Sequence, residues 1–134
     1  MPVYTCTTAE GTLGTDAKAA LAAEITTIHS DVNHVPSTYV NVVFNELPAE
    51  NVYTDAEPAR PLIINGWVRS GHPDDETSRL VAEIADATTR ITGIPPARVL
   101  VIIGNSPARF AIEGGRVLPD PGQEQAWLAA GSVT

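Results

Sequence analysis

Apolar positions along the chain follow two different periods. Short β-branched or alternating runs flank two longer stretches in which apolar residues return every three or four positions. In the first stretch these are Leu21, Ile25, Ile28 and Val32; in the second they are Leu80, Ile84, Ala87 and Ile91. That spacing lays four side chains along one helical face and predicts two amphipathic helices. Acidic residues open both (Asp16; Asp74, Asp75 and Glu76), where the helix dipole favours negative charge, and a proline-marked turn closes each (Val35-Pro36; Ile94-Pro95-Pro96). An extended, apolar-rich run precedes each helix (Val3–Thr8; Leu62–Val68) and a β-branched run follows it (Tyr39–Phe44; Val99–Ile103). The pattern β-α-β therefore occurs twice.

Sliding the sequence by 59 positions superposes 2–49 on 61–108 without a gap. Pro2 then meets Pro61, Ala23-Glu24-Ile25 meets Ala82-Glu83-Ile84, and Pro48-Ala49 meets Pro107-Ala108. Identities are sparse, but the helical stripes stay in phase, so a duplicated unit is expected. The expected fold class is α/β: two β-α-β units share one four-stranded sheet with both helices on one face, the crossovers right-handed. The linker 50–60 is polar and should run over the surface, and the tail 109–134 reads as a hairpin and an arm. The whole, 1–134, is expected to be a single domain.

Composition narrows the function. No apolar run approaches the roughly 18 residues of a membrane span. Sixteen acidic against eight basic residues give a net charge of −8, which argues against nucleic acid as a partner. The lone Cys6 cannot form an internal disulfide, and the first residues lack a secretory pattern, so a cytoplasmic protein is expected.

Proton chemistry has one candidate at the start. Excision of Met1 would leave Pro2 as a free secondary amine, and an α-amino group titrates near 7.7–8.0. Burial lowers that value and carboxylates raise it, so such a group can be tuned as base or acid. Alternatively Pro2 merely begins an edge strand, where a missing N–H goes unnoticed. Gly71-His72-Pro73-Asp74-Asp75-Glu76 is a competing motif. It resembles the signature of zinc-dependent deacetylases, with His72 and Asp75 as ligands, but it also reads as ordinary helix punctuation, and no histidine pair follows it. No cofactor or metal is expected. Cys6 lies inside a strand and reads as packing.

Pro2-Val3-Tyr4, Thr26-Thr27-Ile28-His29, Asn41-Val42-Val43-Phe44, Gly104-Asn105-Ser106-Pro107-Ala108 and, most specifically, Glu113-Gly114-Gly115-Arg116-Val117-Leu118-Pro119-Asp120-Pro121-Gly122 resemble the tautomerase superfamily. Within it the sequence is similar to the cis-3-chloroacrylic acid dehalogenase group. The resemblance implies a catalytic Pro2, His29 and Arg69 as binders of a substrate carboxylate, and Glu113 as the glutamate that activates water. It also implies a homotrimer. Two positions depart from the pattern. His72 or Pro73 stands where a second arginine is expected, and Arg79 lies too deep in the helix to replace it. Ile102 replaces a tyrosine and would serve only as pocket wall. The expected function is therefore keto–enol tautomerisation of small carboxylates, of phenylenolpyruvate or 2-hydroxydienoate type, with weak or absent haloacrylate dehalogenation. Genuine dehalogenation, a non-catalytic anion-binding trimer and, remotely, a zinc deacetylase are the alternatives.

Overall fold

The computed structural model describes residues 1–131. Its centre is a four-stranded sheet of β1 (Val3–Ala9), β2 (Asn41–Leu47), β5 (Leu62–Arg69) and β6 (Val99–Ser106), in the order β2-β1-β5-β6. β1 runs parallel to β2, β5 parallel to β6, and the two inner strands are antiparallel. Helices α1 (Thr15–Asn33) and α2 (Asp74–Thr92) cross over between the parallel pairs. Their stripes, Leu21, Ile25, Ile28 and Val32 with Leu80, Ile84 and Ala87, close a core against Tyr4, Cys6, Leu62, Ile64 and Val68. These strand positions alternate, so one face of the sheet is dry. The opposite face has no helix on it and leaves Val3, Val43, Leu100 and Ile102 substantially exposed.

Both helices end in a left-handed residue, at His34 (φ 56°) and Gly93 (φ 73°), which stand 59 positions apart. The same spacing relates α1 to α2 and the 3-10 turns Ser37–Tyr39 and Ala49–Asn51 to Pro96–Arg98 and Ala108–Phe110. It also relates hairpin β3 (Tyr53–Thr54) and β4 (Glu57–Pro58) to hairpin β7 (Ile112–Glu113) and β8 (Arg116–Val117). The first strands differ. Val3 pairs with Asn41 whereas Ile63 pairs with Leu100, so here the spacing is 60. The turn before α2 is one residue shorter than that before α1, which absorbs the slip. In the ladder, Pro61 therefore corresponds to Met1 and not to Pro2.

Residues 50–60, expected only as a surface excursion, contain the β3–β4 hairpin. The tail carries the expected hairpin and, beyond it, a helix that the sequence pattern did not single out, α3 (Glu124–Gly131). Residues 132–134 of the expected arm lie outside the described part. No described helix is long and apolar enough to cross a membrane.

Candidate active site

The start of the chain is fixed from two sides. β1 is an inner strand, and the Pro2 carbonyl accepts the Asn41 N–H at 3.1 Å. Because Met1 precedes it, the Pro2 nitrogen is here a peptide nitrogen and the free amine belongs to Met1. That amine donates to the Tyr39 carbonyl and stands 2.8 Å from Glu113 Oε1. Burial lowers its pKa below the usual 8.0; Glu113 pulls upward and the Arg69 charge adds to the lowering. The Met1 side chain is buried in a small apolar cluster with Val35, Ala108 and Leu118, bordered by Tyr39, Trp67 and Trp127.

Gly66 makes room for the next layer. It pairs with Tyr4, and a Cβ at Gly66 would fall 2.6 Å from the Tyr4 ring. The Tyr4 hydroxyl lies 2.7 Å from His29 Nδ1, on the penultimate turn of α1. His29 is 1% exposed, and its pKa falls to about 3 through burial, with His72, the terminal amine and Arg69 pushing the same way. The ring is neutral, and a donating tyrosine leaves its proton on Nε2. One turn further on, Asn33 is 4% exposed, and neither polar atom of its amide has a hydrogen-bond partner among the described residues.

Arg69 ends β5 and is buried. Its Nη1 donates to the Pro119 carbonyl at 2.6 Å, and its Nη2 meets Glu124 Oε1 at 2.7 Å. Glu124 Oε2 in turn accepts the Gly122 N–H at 2.9 Å. Burial opposes charge on Glu124, but the Arg69 bond holds its carboxyl below the usual range. His72, in the short turn after Gly71, has Nδ1 3.5 Å from Glu76; burial and Arg69 lower its pKa. Asp75, the other residue of the zinc-like motif, accepts the Glu76 N–H. Among the described residues no three His, Cys, Asp or Glu side chains group as metal ligands.

The fold thus brings the chain terminus, His29, Arg69 and Glu113 to one end of the sheet, and adds Tyr4, Tyr39, His72 and Glu124. Ile102 is not brought there within one chain: it sits half-exposed on the uncovered face, opposite Asn65. Cys6 is fully buried, with burial pushing its thiol to about 12, so it serves packing. Tyr4 and His29 stand in separate motif stretches 25 residues apart, and Glu124 lies 55 residues from Arg69, so neither contact had a signal in the sequence.

A β-α-β-β-α-β sheet whose innermost strand delivers a terminal amine between an arginine and a glutamate defines an α/β protein of the tautomerase type. The Tautomerase_3 family model, described as "Putative oxalocrotonate tautomerase enzyme", matches residues 1–131, and the chain belongs to that family. Among solved structures it is similar to native Ps01740, at 34% identity over 83% of this chain and 99% of the other, with a TM-score of 0.81. It is similar also to N1, a member of the cis-3-chloroacrylic acid dehalogenase family, at 29% identity over 95% and 90% of the two chains, with a TM-score of 0.91. The fold is shared with a fused 4-OT asymmetric trimer, at 20% identity over 86% and 94% of the two chains, with a TM-score of 0.80. A comparison with curated proteins finds no match.

Proposed function

We propose that the chain, relieved of Met1, is an amino-terminal-proline tautomerase acting on small carboxylates with an apolar body, of phenylenolpyruvate or 2-hydroxydienoate type. The observation that carries this reading is the position of Met1. Its amine stands beside Glu113 in a partly desolvated place, and its side chain fills an apolar pocket. Excision of that one residue creates a prolyl amine and vacates a pocket next to it in the same step. The burial that lowers the Met1 amine would act on the neighbouring Pro2 amine in the same direction, and in this reading that amine is the base. It takes the enol hydroxyl proton and returns it to the adjacent carbon, giving the keto acid. Glu113 accepts a hydrogen bond from the transient ammonium, and Arg69 with neutral His29 orients the carboxylate.

Haloacrylate hydration is at most a weak side activity in this reading. It needs charge stabilisation and an oriented water, and the two relevant positions hold His72, which is biased toward neutrality, and aliphatic Ile102. Each lost transition-state contact removes roughly two to three orders of magnitude in rate. The uncovered sheet face supports assembly as a homotrimer, the state of the fused 4-OT structure, in which Ile102 would meet a site only through a second copy. No cofactor takes part, and the lone buried Cys6 fits a cytoplasmic protein.

Intact mass and phenylenolpyruvate ketonisation test the reading. The mature chain should lack Met1, Pro2→Ala should lose most of the activity, and kcat/KM should rise with pH to a plateau reached below the ordinary amine range. Retained Met1, or equal rates for wild type and Pro2→Ala, would overturn it. Light scattering should give three times 14.1 kDa.

A further inference from the structure

Arg69 is not an open receptor for a carboxylate. Both of its terminal nitrogens are already engaged, one of them by a carboxylate of the same chain. The pair is 2% and 12% exposed, so it is a dry ion pair and not a surface contact. The charged side chains gathered at this end of the sheet are Arg69 with Glu124, Glu113 beside the terminal amine, and Arg116, which pairs with Glu113 across the β7–β8 hairpin and is already bonded to the Trp127 carbonyl. Seating a substrate carboxylate on Arg69 with Glu124 still in place would set two anions on one buried cation, which low-dielectric surroundings penalise strongly. Releasing Glu124 to water at the same moment keeps the charge unchanged.

The element that carries Glu124 is held as one piece. Glu124 is the first residue of α3, and Gly122, at φ 92°, precedes it. The rest of α3 rests on Trp127. Its ring meets Tyr39 edge-on at 5.7 Å, its Nε1 donates to the Val117 carbonyl, and the Arg116 guanidinium lies 3.8 Å from its ring centroid. Tyr39 and Trp127 also border the Met1 side chain, so one short helix supplies both the counter-ion of Arg69 and a wall of the apolar pocket.

We infer that Glu124 is an internal stand-in for the substrate carboxylate, and that the site takes monocarboxylates by exchanging the Glu124 carboxylate for theirs on Arg69. The inference rests on the tautomerase reading for the direction of substrate entry. Glu124 sets specificity: a ligand must bring one carboxylate to replace it, and a second carboxylate on the ligand finds the nearby Arg116 already stacked on Trp127 and bonded to its carbonyl.

The test uses mature, Met1-free protein, with phenylacetate and its ring-carboxylated relative homophthalate as probes in calorimetry. Glu124→Gln should bind phenylacetate about tenfold more tightly than wild type, because no ion pair has to be broken first. Homophthalate should bind wild type at least about tenfold more weakly than phenylacetate. In wild type, the Glu124 carboxyl, followed by carbon NMR, should titrate below the usual range when free and return upward when phenylacetate saturates the site. This second readout stands even where the variant fails to fold. Equal or weaker phenylacetate binding by Glu124→Gln, or a Glu124 carboxyl that stays low in the complex, would overturn the exchange and make Glu124 a support that positions Arg69. Equal binding of homophthalate would overturn the one-carboxylate specificity. Either result with Pro2-dependent turnover intact leaves the tautomerase reading standing; loss of turnover with normal binding does the reverse.

Discussion

Acid should destabilise this protein through His29 in particular. The ring is 1% exposed, makes its bond to Tyr4 through Nδ1, and has a folded-state pKa of about 3 against 6.5 in an unfolded chain. The folded value lies below the unfolded one, so between the two the unfolded state binds the extra proton. Stability from this group is then fully present above about pH 6.5 and is lost as pH falls toward 3. Each pH unit in that window is worth about 1.4 kcal/mol, so lowering the pH from about 7 to about 4.5 should remove roughly 2–3 kcal/mol. Many carboxylates titrate nearby, and the difference between two proteins cancels them. His29→Gln keeps a neutral group that accepts from Tyr4 and has no proton to gain. Urea unfolding followed by tryptophan fluorescence, at one protein concentration and at both pH values, measures the difference. Wild type should lose about 2–3 kcal/mol more than His29→Gln over that range. Parallel losses within about 0.5 kcal/mol would refute the buried neutral histidine and the Tyr4 bond that goes with it.

Tyr4→Phe should cost about 1–3 kcal/mol in urea unfolding at neutral pH, because it leaves a buried ring nitrogen without its donor. Gly66→Ala should cost a similar 1–3 kcal/mol, since the new Cβ would stand 2.6 Å from the Tyr4 ring inside the core; an unchanged midpoint would contradict that packing. Asn33→Leu should raise stability by roughly 1–2 kcal/mol, read as a higher urea midpoint, because it replaces an unpaired buried amide with an apolar group of similar size.

The helices were legible because their apolar stripes are long enough for the period to show. Leu21 to Val32 and Leu80 to Ala87 face the sheet as the spacing says. Strand register was less legible. Identity matching favoured Pro2 against Pro61, whereas the ladder is fixed by hydrogen bonding and by a turn one residue shorter before α2. The hairpin strands have two residues each, and α3 has eight, too few for a period to stand out. Resemblance supplied the gathering of His29, Arg69 and Glu113 near the terminus, because nothing in their local sequence points at a common place. It did not supply Glu124. A long-range ion pair between an arginine ending a strand and a glutamate opening a distant helix leaves no trace in either neighbourhood.

That omission changes how the arginine is understood. An isolated guanidinium buried to 3% exposure would lose several kcal/mol of hydration with nothing to offset it, so Arg69 without an anion beside it would be unstable. On the proposed exchange, the chain supplies an anion for Arg69 whenever substrate is absent, and that anion leaves when substrate binds. Glu113 is committed to the amine at 2.8 Å, and the Pro119 carbonyl carries no full charge. Glu124 alone among these partners brings a full charge to Arg69, from the first residue of α3. On that proposal, stability of the empty site and access to it are set by the same carboxylate, and its hold on Arg69 is the quantity that substrate affinity must exceed.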